Sequence, residues 1–68
     1  MQVRIKILAG GALEKTIEIE EGSTYSDILA ELWINPETVV VMVEGRPVPI
    51  DDFVDSSQID ILKIVSGG

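Results

Sequence analysis

The 68-residue sequence contains no cysteine and no histidine. These two absences exclude disulfides, thiolate nucleophiles and imidazole general bases, together with most transition-metal sites. Basic residues are also scarce: five lysines and arginines stand against twelve aspartates and glutamates, for a net charge of −7. Because phosphate binding needs a basic patch, this balance argues against nucleic acid as a partner and favours a basic surface on another protein.

Long apolar segments are missing as well. No run approaches the ~20 residues that a membrane-spanning helix requires. The opening residues, MQVRIK, lack the apolar stretch of a signal peptide. We therefore expect no membrane partner and a cytoplasmic location. With 46% hydrophobic and 25% charged residues, the composition is typical of one small globular domain.

Apolar and polar residues alternate over residues 2–8 and again over residues 14–20, which predicts two half-buried strands. Gly10-Gly11 between them favours a tight turn, so the two strands should form a hairpin. The period then changes to that of a helix, with an apolar stripe at i, i+3, i+4 and i+7: Tyr25, Ile28, Leu29 and Leu32. Thr24 and Asp27 resemble a capping box at its start. Asn35-Pro36 should end the helix.

The remaining segments predict further strands. Residues 39–43, VVVMV, favour a third strand, and residues 48–50 a short edge strand after turn residues 44–47. Residues 59–65 form the last strand, which leaves residues 66–68 as a flexible tail behind a domain of residues 1–65. The order β-β-α-β-β predicts an α+β fold with one mixed sheet packed on one helix. The β-grasp is the common small fold with this order, although other small α+β folds share it.

The predicted core consists of the residues that these periods direct inward: Val3, Ile5, Ile7, Ile17, Ile19, Ile28, Leu29, Leu32, Val41, Val43, Phe53, Ile59 and Ile61. Phe53 is expected to plug the core from below. Trp33 follows the helical stripe, and we expect it to cover the core edge in preference to contacting a partner. The acidic residues are expected to form solvated faces, not a metal site: Glu18, Glu20, Glu21, Asp51, Asp52 and Asp55.

The C-terminal Gly67-Gly68 follows directly after the last predicted strand. Two glycines at a chosen site occur by chance in roughly 0.5% of chains, and small residues are ordinary at a frayed terminus. A glycine backbone can, however, enter a narrow enzyme channel, since it has no Cβ atoms. The ionised α-carboxylate of Gly68 could then attack the α-phosphate of ATP, and the resulting acyl-adenylate would accept sulfur or an amine.

Three segments resemble a known family. Residues 61–68, ILKIVSGG, resemble the tails of the ThiS and MoaD sulfur carriers and of the small archaeal modifier proteins. Residues 43–49, VEGRPVP, resemble the V-x-G-x-x-V-P segment of ThiS and the modifiers, and residues 24–29, TYSDIL, resemble the start of their helix. The resemblance extends over the whole chain. It implies a ubiquitin-like β-grasp fold.

The resemblance also implies a chemistry. Gly68 would be adenylated by a ubiquitin-activating-type enzyme that uses ATP and Mg²⁺, with Gly67 and Ser66 threading the tail into that enzyme. The chain itself would be a substrate, not an enzyme, and would bind no cofactor. The first hypothesis is a sulfur carrier with a C-terminal thiocarboxylate for thiamine, molybdopterin or tRNA thiolation. The second is a modifier joined through Gly68 to lysines of target proteins, and the third is a passive interaction module.

Strand parity predicts an apolar patch on the sheet face that points away from the helix: Leu8, Val40, Met42, Leu62 and Ile64. Arg4 and Lys6 should lie beside this patch. An outer sheet face is normally polar unless a partner docks there. We therefore favour a partner-binding patch leading to the tail over the alternative, in which long neighbouring side chains cover these residues.

Overall fold

The computed structural model describes residues 1–64. Their elements are β1 (Gln2–Leu8), β2 (Ala12–Glu18), α1 (Tyr25–Glu31), a 3₁₀ turn (Pro36–Thr38), β3 (Val39–Val43), β4 (Arg46–Pro47) and β5 (Gln58–Lys63). Val65 and the predicted tail lie outside the described residues. No helix within this described part is long and apolar enough to cross a lipid bilayer.

Within residues 1–64 the strands form one sheet in the order β2-β1-β5-β3-β4. The central pair, β1 and β5, is parallel, and the other neighbouring pairs are antiparallel. The helix connects the first hairpin to the second half of the sheet and buries its apolar stripe against one face. The predicted α+β arrangement of one mixed sheet and one helix is therefore confirmed.

The core lies between the helix and the inner sheet face. Its buried members are Val3, Ile5, Tyr25, Ile28, Leu29, Val39, Val41, Ile59 and Ile61. The remaining predicted core residues pack around them half-buried, with the exception of Phe53. The predicted capping box is confirmed, since the Thr24 hydroxyl accepts from the Asp27 amide at 3.2 Å and the Asp27 carboxylate accepts from the Thr24 amide at 2.9 Å.

The last strand was predicted over residues 59–65, but β5 begins at Gln58 and ends at Lys63. Two further predicted strand ranges are wrong because the turns are tighter than the sequence pattern indicates. β2 occupies residues 12–18 instead of 14–20, because Leu8 already pairs with Ala12 across a three-residue loop. The short strand occupies residues 46–47 instead of 48–50. Glu44 and Gly45 both have positive φ, 54° and 77°, which is the signature of a two-residue type I′ turn that returns the chain immediately.

The predictions for Phe53 and Trp33 are also wrong. Phe53 is 69% exposed. Its backbone forms an isolated bridge with Thr24, and Ile50 and Val54 on either side of it pack against the core in its place. Trp33 is 95% exposed and covers no part of the core edge.

The predicted end of the helix is wrong as well. Asn35-Pro36 does not end the helix, because α1 already stops at Glu31.

Candidate functional site

The outer face of the sheet carries an apolar row across three neighbouring strands. Leu8 of β1 lies opposite Leu62 of β5, and Leu62 lies opposite Val40 of β3. Ala12 of β2 extends the row beyond Leu8. The register therefore brings together three members of the predicted patch that are separated by up to 54 positions in the chain, because the parallel pairing places β5 between β1 and β3.

The next row along the outer face is charged. Lys6 lies opposite both Glu14 and Asp60, and Asp60 lies opposite Met42. Apolar surface is thus concentrated at the end of the sheet where β5 finishes, and Met42 marks its border with charged groups. Such a border of charge around an aliphatic centre is typical of an interaction surface.

Exposure differs among the five predicted patch residues. Leu8, Val40 and Met42 are half-buried by their neighbours. Leu62 is 36% exposed and Ile64 is 57% exposed. Mutual covering therefore accounts for part of the patch, but Leu62 and Ile64 present aliphatic surface to solvent. These two residues are also the ones nearest the C-terminus.

The chain is held in place where the tail begins. The Ile64 amide donates to the carbonyl of Thr38 at 2.9 Å, which fixes the last described residue beside the start of β3. The predicted attachment residue Gly68 and the predicted threading residues Ser66 and Gly67 lie outside residues 1–64.

The predicted basic residues beside the patch differ in their partners. The Arg4 guanidinium binds the Glu14 carboxylate at 3.1 Å, with both side chains largely exposed. Lys6 makes no ion pair with any side chain among residues 1–64. Lys6 therefore borders the apolar row without a side-chain ion pair within this part of the chain.

Burial raises the pKa of the Tyr25 phenol above its ordinary value, and the negative charge of Asp55 raises it further. The phenol contacts Asp55 at 3.5 Å, so it ties the loop before β5 to the start of the helix. This contact is structural, since it lies at the opposite end of β5 from the apolar row. Within the described residues, no three acidic side chains group closely enough to hold a metal ion.

At the end of α1, Trp33 has an unusual backbone conformation that the sequence analysis did not predict. The Ile34 amide donates to Leu29 at 2.9 Å and the Trp33 amide donates to Ala30 at 3.2 Å, which is the Schellman pattern of helix termination. Trp33 has a φ of 59° there, where glycine is usual. The left-handed backbone conformation costs a non-glycine residue about 1–2 kcal/mol. The indole of Trp33 is exposed to solvent. The sequence offered one signal of this feature: no glycine follows the apolar stripe of the helix, so a residue with a side chain has to adopt the conformation that ends it.

Sequence comparisons show that the chain is similar to archaeal proteins of about the same length. The family model described as small archaeal modifier protein 2 matches residues 1–65. A protein of Archaeoglobus fulgidus is 42% identical over 67 residues, covering 97% of this chain and all of that protein. Small archaeal modifier protein 2 of Haloferax volcanii is 29% identical over 68 residues, the whole length of both chains.

Solved structures confirm the ubiquitin-like fold. A ubiquitin-like protein of the hyperthermophilic archaeon Caldiarchaeum subterraneum superposes with a TM-score of 0.62 at 17% identity, covering 98% of this chain and all of that chain. The ubiquitin of the same organism gives a TM-score of 0.65 at 19% identity over the full length of both. The match of the family model to nearly the whole chain, on a ubiquitin-like fold, shows that this protein belongs to the small archaeal modifier protein 2 family.

Proposed function

We propose that this protein is a modifier whose C-terminal Gly68 is joined to lysine amines of target proteins after adenylation by an activating enzyme. The observation that carries the proposal is the apolar row of Leu8, Leu62 and Val40, which lies at the end of the sheet from which the Gly-Gly tail departs. Membership of a family of modifier proteins supports it.

The chemistry requires two displacements, the first at the α-phosphorus of ATP and the second at the carbonyl carbon of Gly68. A carboxylate oxygen attacks the α-phosphorus of ATP, and pyrophosphate leaves. The lysine amine then attacks the carbonyl carbon of the acyl-adenylate, AMP leaves, and the amine loses a proton to solvent. The chain has neither cysteine nor histidine, so the activating enzyme supplies the catalytic groups and binds ATP and Mg²⁺. We place this reaction in the cytoplasm.

The distance from the patch to the Gly68 carboxylate limits where the adenylation site of the enzyme can lie. Four residues follow Ile64, and four extended residues span at most about 14 Å. An enzyme that holds the apolar row must therefore have its adenylation site within about that distance of Ile64. Binding at the row would raise the local concentration of the tail at the active site, in the manner of any tethered ligand.

Sulfur transfer is the second candidate, and the segment that holds the hairpin turn between β3 and β4 is compatible with it. Residues 43–49 resemble a segment that the sulfur carrier ThiS and the small archaeal modifiers share. In this route sulfide attacks the carbonyl carbon of the same acyl-adenylate, AMP leaves, and Gly68 ends in a thiocarboxylate. The two functions thus share the activation step and differ in the acceptor.

Mass spectrometry of an N-terminally tagged protein from an archaeal host tests both functions. Trypsin cleaves after Lys63, so a modified target would carry residues 64–68 as a branch on its lysine, instead of a bare Gly-Gly remnant. The intact mass of the free protein checks that Gly68 is the terminus and detects the replacement of one oxygen by sulfur. The matched control is the same tagged protein lacking Gly68.

The outcomes separate the candidates. Branched peptides that disappear from the control establish the modifier. A sulfur-for-oxygen mass gain without branched peptides establishes the carrier and refutes the modifier. If neither product forms and deletion of Gly67-Gly68 leaves every measured interaction intact, the chain is a passive module and both proposals fail.

A further inference from the structure

The inner face of the sheet carries an apolar groove of about 420 Å³ where α1 no longer covers it. Ile7 and Leu13 line its sheet side, and Leu32 and Ile34 line its helix side. Trp33 stands at its lip with its side chain almost entirely in solvent. The groove lies on the opposite sheet face from the apolar row, so the proposed activation does not use it.

The charge of the groove opposes that of the whole protein. Its only charged lining residues within the described chain are Lys15 and Lys63. The net charge of the protein is −7 and only five residues are basic. Neither lysine forms an ion pair with another side chain in residues 1–64. The groove is therefore a cationic site on an acidic molecule, and it suits a ligand that carries carboxylates.

An open strand edge runs beside the groove. β2 is the edge strand of the sheet, and within residues 1–64 no strand pairs with its outer side. An extended segment added to such an edge satisfies the free backbone groups and directs alternate side chains to one face. Along β2 the inward positions are Leu13, Lys15 and Ile17, because they pair with the inward residues of β1.

From these observations we propose that the groove between β2 and the end of α1 binds an extended segment of a partner protein that carries aliphatic and acidic side chains. The aliphatic side chains fill the groove against Trp33, and the carboxylates meet Lys15 and Lys63. The protein thus has a second, non-covalent recognition surface, which is independent of the chemistry at Gly68.

A purely structural role explains only part of this arrangement. An inward-facing lysine on an edge strand discourages unwanted pairing, and that role would account for Lys15. It does not account for Lys63 on the paired strand β5, nor for an exposed indole in a strained conformation at the position usual for glycine. Strained residues of this kind cluster at functional sites.

Fluorescence titration tests the proposal, because Trp33 is the only tryptophan in the chain. The probe is a capped peptide in which isoleucine alternates with serine and which ends in a run of glutamates. The control peptide ends in lysines. We expect the glutamate peptide to shift Trp33 emission to shorter wavelength and to perturb the NMR amide signals of β2, and we expect the lysine peptide to do neither.

Charge-reversal variants locate the binding site. Lys15→Glu and Lys63→Glu should each weaken binding of the glutamate peptide about three- to ten-fold. Arg46→Glu is the matched control, since it makes the same change of charge at an exposed residue outside the groove. It should change the affinity less than about two-fold.

A variant at the strained position separates binding from folding. Trp33→Gly removes the indole and relieves the left-handed strain, so we expect its melting temperature to be unchanged or higher while NMR shows affinity falling at least about ten-fold. Equal binding of the two peptides, or amide shifts confined to Leu8 and Leu62, overturns the proposal. Trp33 emission that changes with protein concentration alone also overturns it, because a second copy would then occupy the groove.

Discussion

Leu62→Glu tests the role of the outer face most directly. Leu62 is 36% exposed, so about two thirds of its surface is covered, and its cross-strand neighbours on the two sides are Leu8 and Val40. Burying a whole leucine side chain is worth about 1.5–3 kcal/mol, so losing this part costs about 1–2 kcal/mol. A domain of this size has a free energy of unfolding of about 3–10 kcal/mol. The variant should therefore remain folded.

The effect on activation should be larger than the effect on folding. A carboxylate in the centre of the apolar row would have to be desolvated against the enzyme, and a central interface residue contributes more than about 1 kcal/mol of binding. We therefore expect KM for this protein to rise at least about five-fold in ATP–pyrophosphate exchange with the activating enzyme. kcat should stay unchanged, because Leu62 lies six positions before Gly68, whose carboxylate is proposed to react.

The matched control is Phe53→Glu, which places the same carboxylate on another exposed hydrophobic residue away from the row. Circular dichroism melts of both variants show whether each is folded at the assay temperature. If Leu62→Glu and Phe53→Glu give the same KM as the original protein, the apolar row does not dock the enzyme. A fall in kcat at unchanged KM would contradict the assignment of Leu62 to binding.

Three further variants test the fold. Ile61→Ala, at a fully buried position next to Leu62, should lower the free energy of unfolding by about 2–5 kcal/mol in urea; a loss below 1 kcal/mol contradicts its place in the core. Thr24→Ala removes the capping hydroxyl and should cost about 1 kcal/mol, whereas retained stability would mean that the capping box is dispensable. Burial and Asp55 raise the pKa of Tyr25, so its folded form holds the proton more tightly than its unfolded form. The associated stability is complete below the unfolded pKa of about 10 and is lost as pH rises through the folded pKa. Absorbance titration of this single tyrosine should show a raised midpoint in the folded protein, and Tyr25→Phe should make alkaline unfolding less steep.

Local sequence patterns predicted most of the core. Residues that alternate along β1 and β5 point to one face whatever the rest of the chain does, so Val3, Ile5, Ile59 and Ile61 were assigned correctly. Phe53 lies in a segment without a period. Ile50 and Val54 of the same segment pack against the core while Phe53 is exposed, and only the packed structure decides which of them turns inward.

The candidate site divides in the same way. Parity alone identified Leu8, Val40 and Leu62 as outward-facing, but their alignment in one row depends on the register of strands far apart in the chain. The groove beside Trp33 was not predicted, because it arises where the helix ends early and leaves the inner face of β2 uncovered.

The sequence by itself therefore determined the apolar periodicity of the strands and the helix, the helix cap and the family resemblance. Each of these depends on residues a few positions apart. The tertiary structure decided the register of the apolar row, the exposure of Phe53 and Trp33, and the position of Lys15 and Lys63 on one groove. These features depend on which distant segments compete for the same space. They also depend on the positive φ angle of Trp33, which is sterically unfavourable for a residue with a side chain.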